Sequence, residues 1–314
     1  MNKPKIFLVF LSFFLSFLLE AQDFKVLSSQ GNNIIKSSNK KIWTGSSLKK
    51  TDIVAIGANG YLGLMHIKTG KTVEITKTGT YSLSKYAIGA SSTSVTTKYG
   101  NYIAEEVFKS EKQDINKNHR KYMAITGAVS RERKISIDEN ELVKPLIFIA
   151  KESQEVYDTK VYLSWLEEAN QKAQKYHIKI QNYDNEPVAF FETDEPFFEF
   201  DFNLLKKNKV GEPSFIITVM LADKPNSKAT INLGFVEKAI SKEISKDLGN
   251  TQPENALDYL IRAKYFEDKK LYLDAIKAYQ KAIALQNLDS YKNAYMEFLA
   301  KNQIAYQYNP NFKE

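Results

Sequence analysis

Apolar and polar residues alternate with a period of two along the first part of the chain, a pattern that predicts β-strands. The stretch "NGYLGLMHIKTGKTVEITKTGTYSL", residues 59–83, shows this alternation on both sides of a glycine. A compact all-β unit is therefore expected, either a roll or a small sandwich. Its seven short strands are predicted at residues 24–27, 32–35, 41–43, 52–56, 61–67, 72–76 and 80–83. Six glycines separate them, each expected at a turn where glycine adopts positive φ: Gly31, Gly45, Gly57, Gly60, Gly70 and Gly79.

The order of these signals resembles the FecR-type domain of bacterial envelope proteins. In that family a glycine, a leucine, an aspartate and an isoleucine precede a glycine-marked hairpin. Thr51 departs from the pattern, because the family commonly has glycine there. The cytoplasmic anti-sigma segment and the membrane helix of a complete FecR regulator have no counterpart in the sequence, so signalling through a sigma factor is not implied. The matching residues are Gly45, Leu48, Asp52 and Ile53, followed by Leu62, Leu64, His66, Gly70, Val73 and Ile75.

Between residues 91 and 140 the apolar spacing changes to three and four residues, which predicts helix. The segment is interpreted as a helical connector that packs on the first β-unit. A second short helix is expected at residues 120–125, ended by Gly127. The first helix is predicted from Tyr99, Tyr102, Ile103, Val107 and Phe108.

The period of two returns between residues 142 and 234, now in longer stretches. Polar turns separate the stretches every dozen or so residues, which is typical of a two-sheet sandwich. Trp165 is expected to fill its core. The strand pattern around "VYLSWLEEANQKAQKYHIKIQN" resembles fibronectin type III and related immunoglobulin-like modules. The seven strands are predicted at 143–150, 160–166, 175–182, 187–192, 197–202, 214–221 and 229–233.

Residues 235–248 are predicted to form a linking helix, and the helical period continues beyond Pro253. "ALDYLIRAKYFEDKKLYLDAIKAYQKAIALQN" resembles one tetratricopeptide unit. Arg262 and Asn287 depart from that family, which usually has an apolar residue and a proline there. With one more helix from "SYKNAYMEFLAKNQIAY", the segment stays below three repeats, so it should pack on the sandwich, a partner or a second copy. The matching positions are Tyr259, Ala263, Phe266, Tyr272, Ala275, Tyr279 and Ala282.

The N-terminus has the order of a secretory signal peptide, with Lys3 and Lys5 before an apolar run and Ala21 near the expected cut. An uncleaved anchor is the alternative. The chain has no cysteine, so a lipid anchor on cysteine and disulfides are excluded. A periplasmic or secreted bacterial envelope protein is expected, without stable membrane insertion after cleavage. The net charge is +7 with lysines spread along the chain, which favours a solvated surface over a nucleic-acid site and leaves weak contact with an anionic envelope polymer open.

Candidate chemistry is sparse. His66, His119 and His177 stand alone, so no zinc site is expected, and His66 and His177 are interpreted as strand residues. Serines 91, 92 and 94 lack a G-x-S-x-G elbow, and no phosphate-binding glycine motif is present, so no cofactor is expected. Adjacent pairs at residues 105–106 and 167–168 do not suit glycoside hydrolysis. The acidic-aromatic stretch at 183–202 is interpreted as a half-buried strand with a polar face.

The sequence thus predicts a multidomain chain: signal peptide (1–21), FecR-like all-β module (22–90), helical connector (91–140), immunoglobulin- or fibronectin-like β-sandwich (141–235), and linker helix with tetratricopeptide-like helices (236–314). The hypothesis is a non-catalytic interaction or scaffold protein that binds a protein or peptide through the C-terminal helices. The alternatives are a FecR-like periplasmic sensor and an unrecognised polysaccharide hydrolase. Helical phase selects the candidate contacts Asn255, Arg262, Lys269 and Lys270.

Overall fold

The computed structural model describes residues 22–86, 95, 98–100, 103, 146–166, 175–205, 214–249 and 252–304. The chain divides into two compact units, Met1–Ser92 and Thr93–Glu314. Sheets make up the N-terminal and middle regions and helices the C-terminal region, as the alternation and the later helical period predict. The expected signal peptide, most of the helical connector and the second connector helix lie outside the described residues. Residues 95, 98–100 and 103 of the expected connector are helical, and of these 99, 100 and 103 fall within the expected first helix.

The N-terminal unit contains two four-stranded antiparallel sheets. The first has the order β4-β1-β6-β7 and the second the order β3-β2-β5-β8. The seven strands expected here are present, and β4 is an additional two-residue strand. The bounds are β1 Phe24–Gln30, β2 Asn33–Ile35, β3 Lys40–Lys41, β4 Ser47–Leu48, β5 Ile53–Ile56, β6 Tyr61–His66, β7 Thr72–Ile75 and β8 Gly79–Ser82, followed by the 3₁₀ turn Leu83–Tyr86.

Both sheets contribute to one hydrophobic core. Phe24 on β1, Leu64 on β6 and Val54 on β5 are fully buried members of it. The buried amide of Asn33 adds polar links, because its Nδ2 donates to the carbonyl oxygens of Gln30 and Tyr61, each at 2.8 Å. A neutral side chain therefore ties the first turn of the module to β6.

The glycines of this unit serve two different purposes. Positive φ is confirmed at Gly31, Gly45, Gly70 and Gly79 and is wrong for Gly57 and Gly60. Those two are needed for close backbone approach instead. A Cβ on Gly57 would lie 2.7 Å from the carbonyl oxygen of Asn32, and one on Gly60 would lie 2.7 Å from Asn33 Oδ1.

The middle region contains a five-stranded sheet, order β10-β16-β15-β12-β13, and a three-stranded sheet, order β14-β11-β9. Strand β10 runs parallel to β16, and the other pairs are antiparallel. The seven strands expected here are present, and β10 is additional. The bounds are β9 Ile147–Phe148, β10 Ser153–Val156, β11 Lys160–Leu166, β12 Tyr176–Gln181, β13 Pro187–Thr193, β14 Phe197–Asp201, β15 Ser214–Leu221 and β16 Lys228–Phe235.

Aromatic side chains join these two sheets. Trp165 on β11 is buried, as expected, and its ring lies 5.1 Å from that of Tyr176 on β12. Phe202, just after β14, contacts Phe215 at 5.0 Å and Phe235 at 5.4 Å between ring centroids. The two inner faces therefore share an aromatic layer.

Four helices follow: α1 Lys238–Leu248, α2 Ala256–Asp268, α3 Tyr272–Leu285 and α4 Asp289–Lys301. Ala263 on α2 and Ala275 and Ala282 on α3 are fully buried, so the neighbouring helices approach closely at these positions. Helix α3 contacts α2 and α4 as well as strands β10 and β11. The sequence predicts that so few helices pack on the sandwich, on a partner or on a second copy. Packing on the sheets is confirmed.

Candidate functional site

The four candidate partner contacts all lie on or beside α2, but the helix keeps them apart. Asn255 precedes its first turn and Lys269 and Lys270 follow its last, so about 20 Å of helix separates the two ends. Arg262 lies near the middle. The side chains therefore form a row along one helix and do not converge on one point.

Asn255 and Lys269 have clear local contacts. The Asn255 side chain caps α2, accepting a hydrogen bond from the backbone N–H of Asp258 at 3.0 Å. Lys269 Nζ binds the carboxylate of Glu243 on α1 and lies 5.9 Å from the centroid of the Tyr265 ring. Both residues therefore help to build the helical region.

Arg262 and Lys270 differ from each other in exposure and conformation. Burial lowers the pKa of Arg262, against the opposing influence of the Asp258 carboxylate and the neighbouring Tyr259 and Tyr157. Lys270 is exposed and adopts φ of 61° in the turn between α2 and α3. Lys270 is thus exposed at a turn, whereas Arg262 is half-buried.

The most elaborate polar arrangement lies where the helices meet the sheets. Asp274, in the first turn of α3, is 5% exposed and accepts two backbone hydrogen bonds from the loop between β10 and β11. Oδ2 accepts from the N–H of Tyr157 at 2.9 Å and Oδ1 from that of Asp158 at 3.0 Å. Each carboxylate oxygen therefore accepts a hydrogen bond from one part-buried backbone donor of the loop.

Tyr157 contacts three helices at once. Its backbone N–H binds Asp274 on α3, and its ring lies 6.0 Å from that of Phe266 on α2. Its hydroxyl lies 2.9 Å from Ser245 Oγ on α1. One loop residue thus connects the sheet region to three of the four helices.

A lysine and a shallow recess complete this junction. Lys277 Nζ lies 2.8 Å from Asp158 Oδ2 and also donates to the carbonyl oxygen of Lys160. The adjoining recess has an empty volume of about 160 Å³. This space is open to solvent and encloses no room for a water molecule. It is lined by Val156, Asp158, Lys160, Val161, Tyr162, Leu273, Asp274 and Lys277.

Burial dominates the electrostatics of the junction. It raises the pKa of Asp274 from 3.8 to about 7, although the two backbone N–H groups and the Lys277 ammonium act in the opposite direction. The nearby Asp158 carboxylate raises it further. The protonation state of Asp274 therefore changes near neutral pH.

A second polar cluster joins α2 to the end of α4. Lys264, only 4% exposed, pairs with Glu267 Oε2 at 3.1 Å and with Asp268 Oδ1 at 2.9 Å. Lys301 Nζ approaches Glu267 Oε1 at 3.1 Å. Burial would lower the pKa of Lys264, but its bonds to Asp268 and Glu267 raise it overall. The ammonium is thus held charged inside the helical region.

Tyr99 joins the same cluster from the connector segment. Burial, followed by its hydrogen bond to Asp268, raises the pKa of Tyr99 to about 12. Its ring also packs edge-on against Tyr265 at 6.1 Å between centroids. The connector therefore contributes a side chain to the C-terminal unit.

The two described histidines are strand residues, as predicted. His66 ends β6, where its Nδ1 lies 2.7 Å from Thr69 Oγ1 and its ring packs edge-on against Phe24. His177 on β12 lies 3.2 Å from the Glu192 carboxylate on β13. His119 lies outside the described residues, as do the serines and acidic pairs considered as catalytic groups.

The acidic-aromatic stretch has the predicted two-faced form. Phe198, Phe200 and Phe202 pack in sequence at 5.9 and 5.2 Å between ring centroids. On the other face, Glu199 lies 3.6 Å from Lys160 on β11. Within the described ranges, no group of three His, Asp or Glu side chains is placed to hold a metal ion.

Sequence reasoning missed Asp274, Lys264 and Tyr157. An aspartate in the first turn of a helix is usually exposed, and its charge there interacts favourably with the helix dipole. The local sequence around Asp274 therefore gives no sign that this side chain is buried.

None of the helices in the described parts of the chain is long and apolar enough to cross a bilayer. Compared with known proteins, the chain matches no family model and no curated protein.

Proposed function

We propose that this chain is a non-catalytic, exported bacterial envelope protein that acts as a protein–protein interaction or scaffold module. The observation that carries the proposal is the use of the buried charges. Asp274 joins α3 to the β10–β11 loop, and Glu267, which pairs with Lys264 within α2, joins that helix to Lys301 at the end of α4. Groups that an enzyme would aim into a cleft are used here to hold structural elements together.

The strand order supports a sandwich of the immunoglobulin or fibronectin type III kind for the middle region. Three strands in one sheet face five in the other, and Trp165 lies between the sheets. A tetratricopeptide-like hairpin is supported by the buried alanines Ala263, Ala275 and Ala282. The two sheets and single core of the first unit are compatible with a FecR-like module. These are folds that commonly serve binding.

The proposed partner is a protein or peptide that docks on the C-terminal helices. Lys269 and Lys270 present positive charge at the turn after α2, and Arg262 adds a third cation along that helix. Asn255 fixes the helix start through its cap. A rigid support suits this role, because α2 packs on α3 and α3 is anchored to β10 and β11, so a docking surface on α2 loses little conformational entropy on binding.

The test uses the full chain as bait in envelope fractions, with chemical cross-linking before purification. Lys269→Ala/Lys270→Ala is compared with Lys224→Ala/Lys228→Ala, which removes two exposed lysines around the β15–β16 turn. We expect the first pair to lose most of a cross-linked partner and the second to keep it. Equal yields from both variants would remove the docking assignment from the helices.

A further inference from the structure

The positive charge of this protein resides in its N-terminal module. Residues 22–86 contain ten lysines but only three acids, giving a net charge of +7. The chain from residue 87 onward has 32 basic and 33 acidic residues. The lysines are spread along the chain, as the sequence suggests, but the acids are concentrated in the second unit. The module therefore carries the net positive charge that attracts anions.

Each of the three acids in the module accepts a hydrogen bond from a local group. Asp23 Oδ2 accepts from the backbone N–H of Lys50 at 2.7 Å, and Asp52 Oδ2 from that of Lys49 at 2.8 Å. Glu74 Oε1 accepts from the Tyr61 hydroxyl at 2.8 Å. None of these three acids lies on the strands of the second sheet, β3-β2-β5-β8, so its outer face carries no carboxylate from them.

That outer face of the sheet β3-β2-β5-β8 can be traced from the strand register. Residues directly opposite each other in antiparallel strands share a face. Lys41 is opposite Ile34, Ile34 opposite Ala55, and Ala55 opposite Thr80. Ile53 is opposite Ser82, and the backbone N–H of Lys36 binds the carbonyl oxygen of Ile53. No aspartate or glutamate occupies these positions.

Trp43 stands at the edge of this face. Its side chain is 57% exposed, and Lys41 Nζ lies 4.2 Å above its ring. The preceding Ile42 is buried in the core, so Trp43 projects to the opposite side. The Trp43 ring and the Lys41 ammonium are thus held next to each other at the edge of the sheet. The backbone there is fixed by the hydrogen bond from Ile42 N to Asn33 O at 2.8 Å.

The face carries both apolar and polar side chains around this ring. Four strands at about 4.8 Å spacing make it about 14 Å wide. Its two central strands carry Ile34, Ile53 and Ala55, of which Ile53 is 43% exposed, and the edge strand β8 carries Thr80 and Ser82. A bilayer surface would favour more protruding apolar side chains, and single-stranded nucleic acid would favour several stacking rings.

We infer that this face binds an acidic polysaccharide, with Trp43 packing on a sugar ring and Lys36 and Lys41 pairing with its acidic groups. Each kind of side chain on the face has a matching group on such a polymer. An exposed aromatic ring covers the apolar face of a sugar, hydroxyl side chains exchange hydrogen bonds with sugar hydroxyls, and ammonium groups bind anions. This site is separate from the proposed docking surface on the C-terminal helices.

The test titrates the full chain with polygalacturonate, using neutral dextran as the uncharged control. Acrylamide quenching of tryptophan fluorescence reports on the site directly, because Trp43 is exposed while Trp165 is 3% exposed. We expect polygalacturonate to protect Trp43 from quenching and dextran to have no effect. Quenching that is unchanged at saturating polygalacturonate would overturn the assignment.

Variants separate a defined site from general charge attraction. Trp43→Ala and the double variant Lys36→Ala/Lys41→Ala are each expected to weaken polygalacturonate binding by about tenfold. The matched variant Lys68→Ala/Lys71→Ala removes the same charge at the β6–β7 turn and should change affinity less than about threefold. Equal losses in the two double variants would mean diffuse attraction and overturn the proposal.

Two further probes distinguish other polyanions. Phosphatidylglycerol vesicles and single-stranded DNA are titrated at the same salt concentration. Weaker binding that does not depend on Trp43 supports the polysaccharide site. Tighter binding of either probe that is lost in Trp43→Ala would assign the face to lipid or nucleic acid instead.

Discussion

The two units place their polar groups in opposite ways. In the N-terminal module the buried link is a neutral amide, Asn33, and the charges are at the surface. In the C-terminal unit, charged groups such as Asp274 and Lys264 are buried where elements meet. A small module with one core needs few buried charges to hold its strands together. Where a sheet packs against helices, backbone N–H groups are left without a hydrogen-bond partner, and a carboxylate can accept from them. The difference therefore follows from what each unit has to join.

The largest expected effect is a loss of stability of the N-terminal module. Gly60→Ala would put a Cβ 2.7 Å from Asn33 Oδ1 and 2.8 Å from Ile56 Cγ2, so we expect a loss of about 3 kcal/mol. Hydrogen exchange of the β1 and β6 amides, measured by mass spectrometry, reports this loss. In a Trp43→Phe background, in which Trp165 emits alone, tryptophan fluorescence should show the C-terminal unit unchanged.

A matched glycine separates steric clash from backbone strain. Gly45 has φ of 84°, and a Cβ added there would meet no neighbouring atom within 4 Å, so Gly45→Ala should cost only about 1–2 kcal/mol. Equal protection of β1 and β6 in Gly60→Ala and the unaltered chain would show that Asn33 does not fix the close approach.

The next effect is a loss of stability at the junction between α3 and the β10–β11 loop. Asp274→Ala removes the acceptor from two part-buried N–H groups, for which we expect about 2 kcal/mol of destabilisation. Urea unfolding followed by tryptophan fluorescence in a Trp43→Phe background measures it, because Trp165 then emits alone. Asp289→Ala is the control, since Asp289 also lies in a first helical turn but its side chain is 91% exposed. A loss as large in Asp289→Ala would contradict the assigned role of Asp274.

The smallest effect, taken per pH unit, is a pH dependence confined to the C-terminal unit. The folded state raises the pKa of Asp274 to about 7 from 3.8, so the folded state binds the proton more tightly than the unfolded state. The free energy of unfolding should therefore fall as the pH rises from about 4 to about 7 and become independent of this group above that. The slope is at most about 1.4 kcal/mol per pH unit.

Asp274→Asn isolates this contribution because asparagine does not titrate. The urea midpoint of the variant, measured at pH 4, 5.5, 7 and 8.5, should lack the part of the slope that the unaltered chain shows. Parallel midpoint curves for the two proteins would show that Asp274 keeps an ordinary pKa despite its burial.

Alternation and helical period predicted most of the fold, since both depend on which side of an element is buried. Strand β10 was missed because one of its two inward residues is the polar Gln154, and β4 because it has only two residues. The roles of Gly57 and Gly60 differ from the prediction, since close approach depends on a distant strand end. The burial of Asp274 depends on the loop that meets it, about 116 residues earlier in sequence. Contacts between residues so far apart in sequence produce no local pattern from which they could be predicted.

The parallel pairing of β10 with β16 has a mechanical consequence. Ser153 to Val156 pair in register with Asn232 to Phe235, so the first and last strands of the five-stranded sheet run side by side in the same direction. Tension applied at the start of one and the end of the other would slide them along their length, loading all their hydrogen bonds together. A chain tethered at both sides would resist stretching here more than at a hairpin, whose bonds open one at a time.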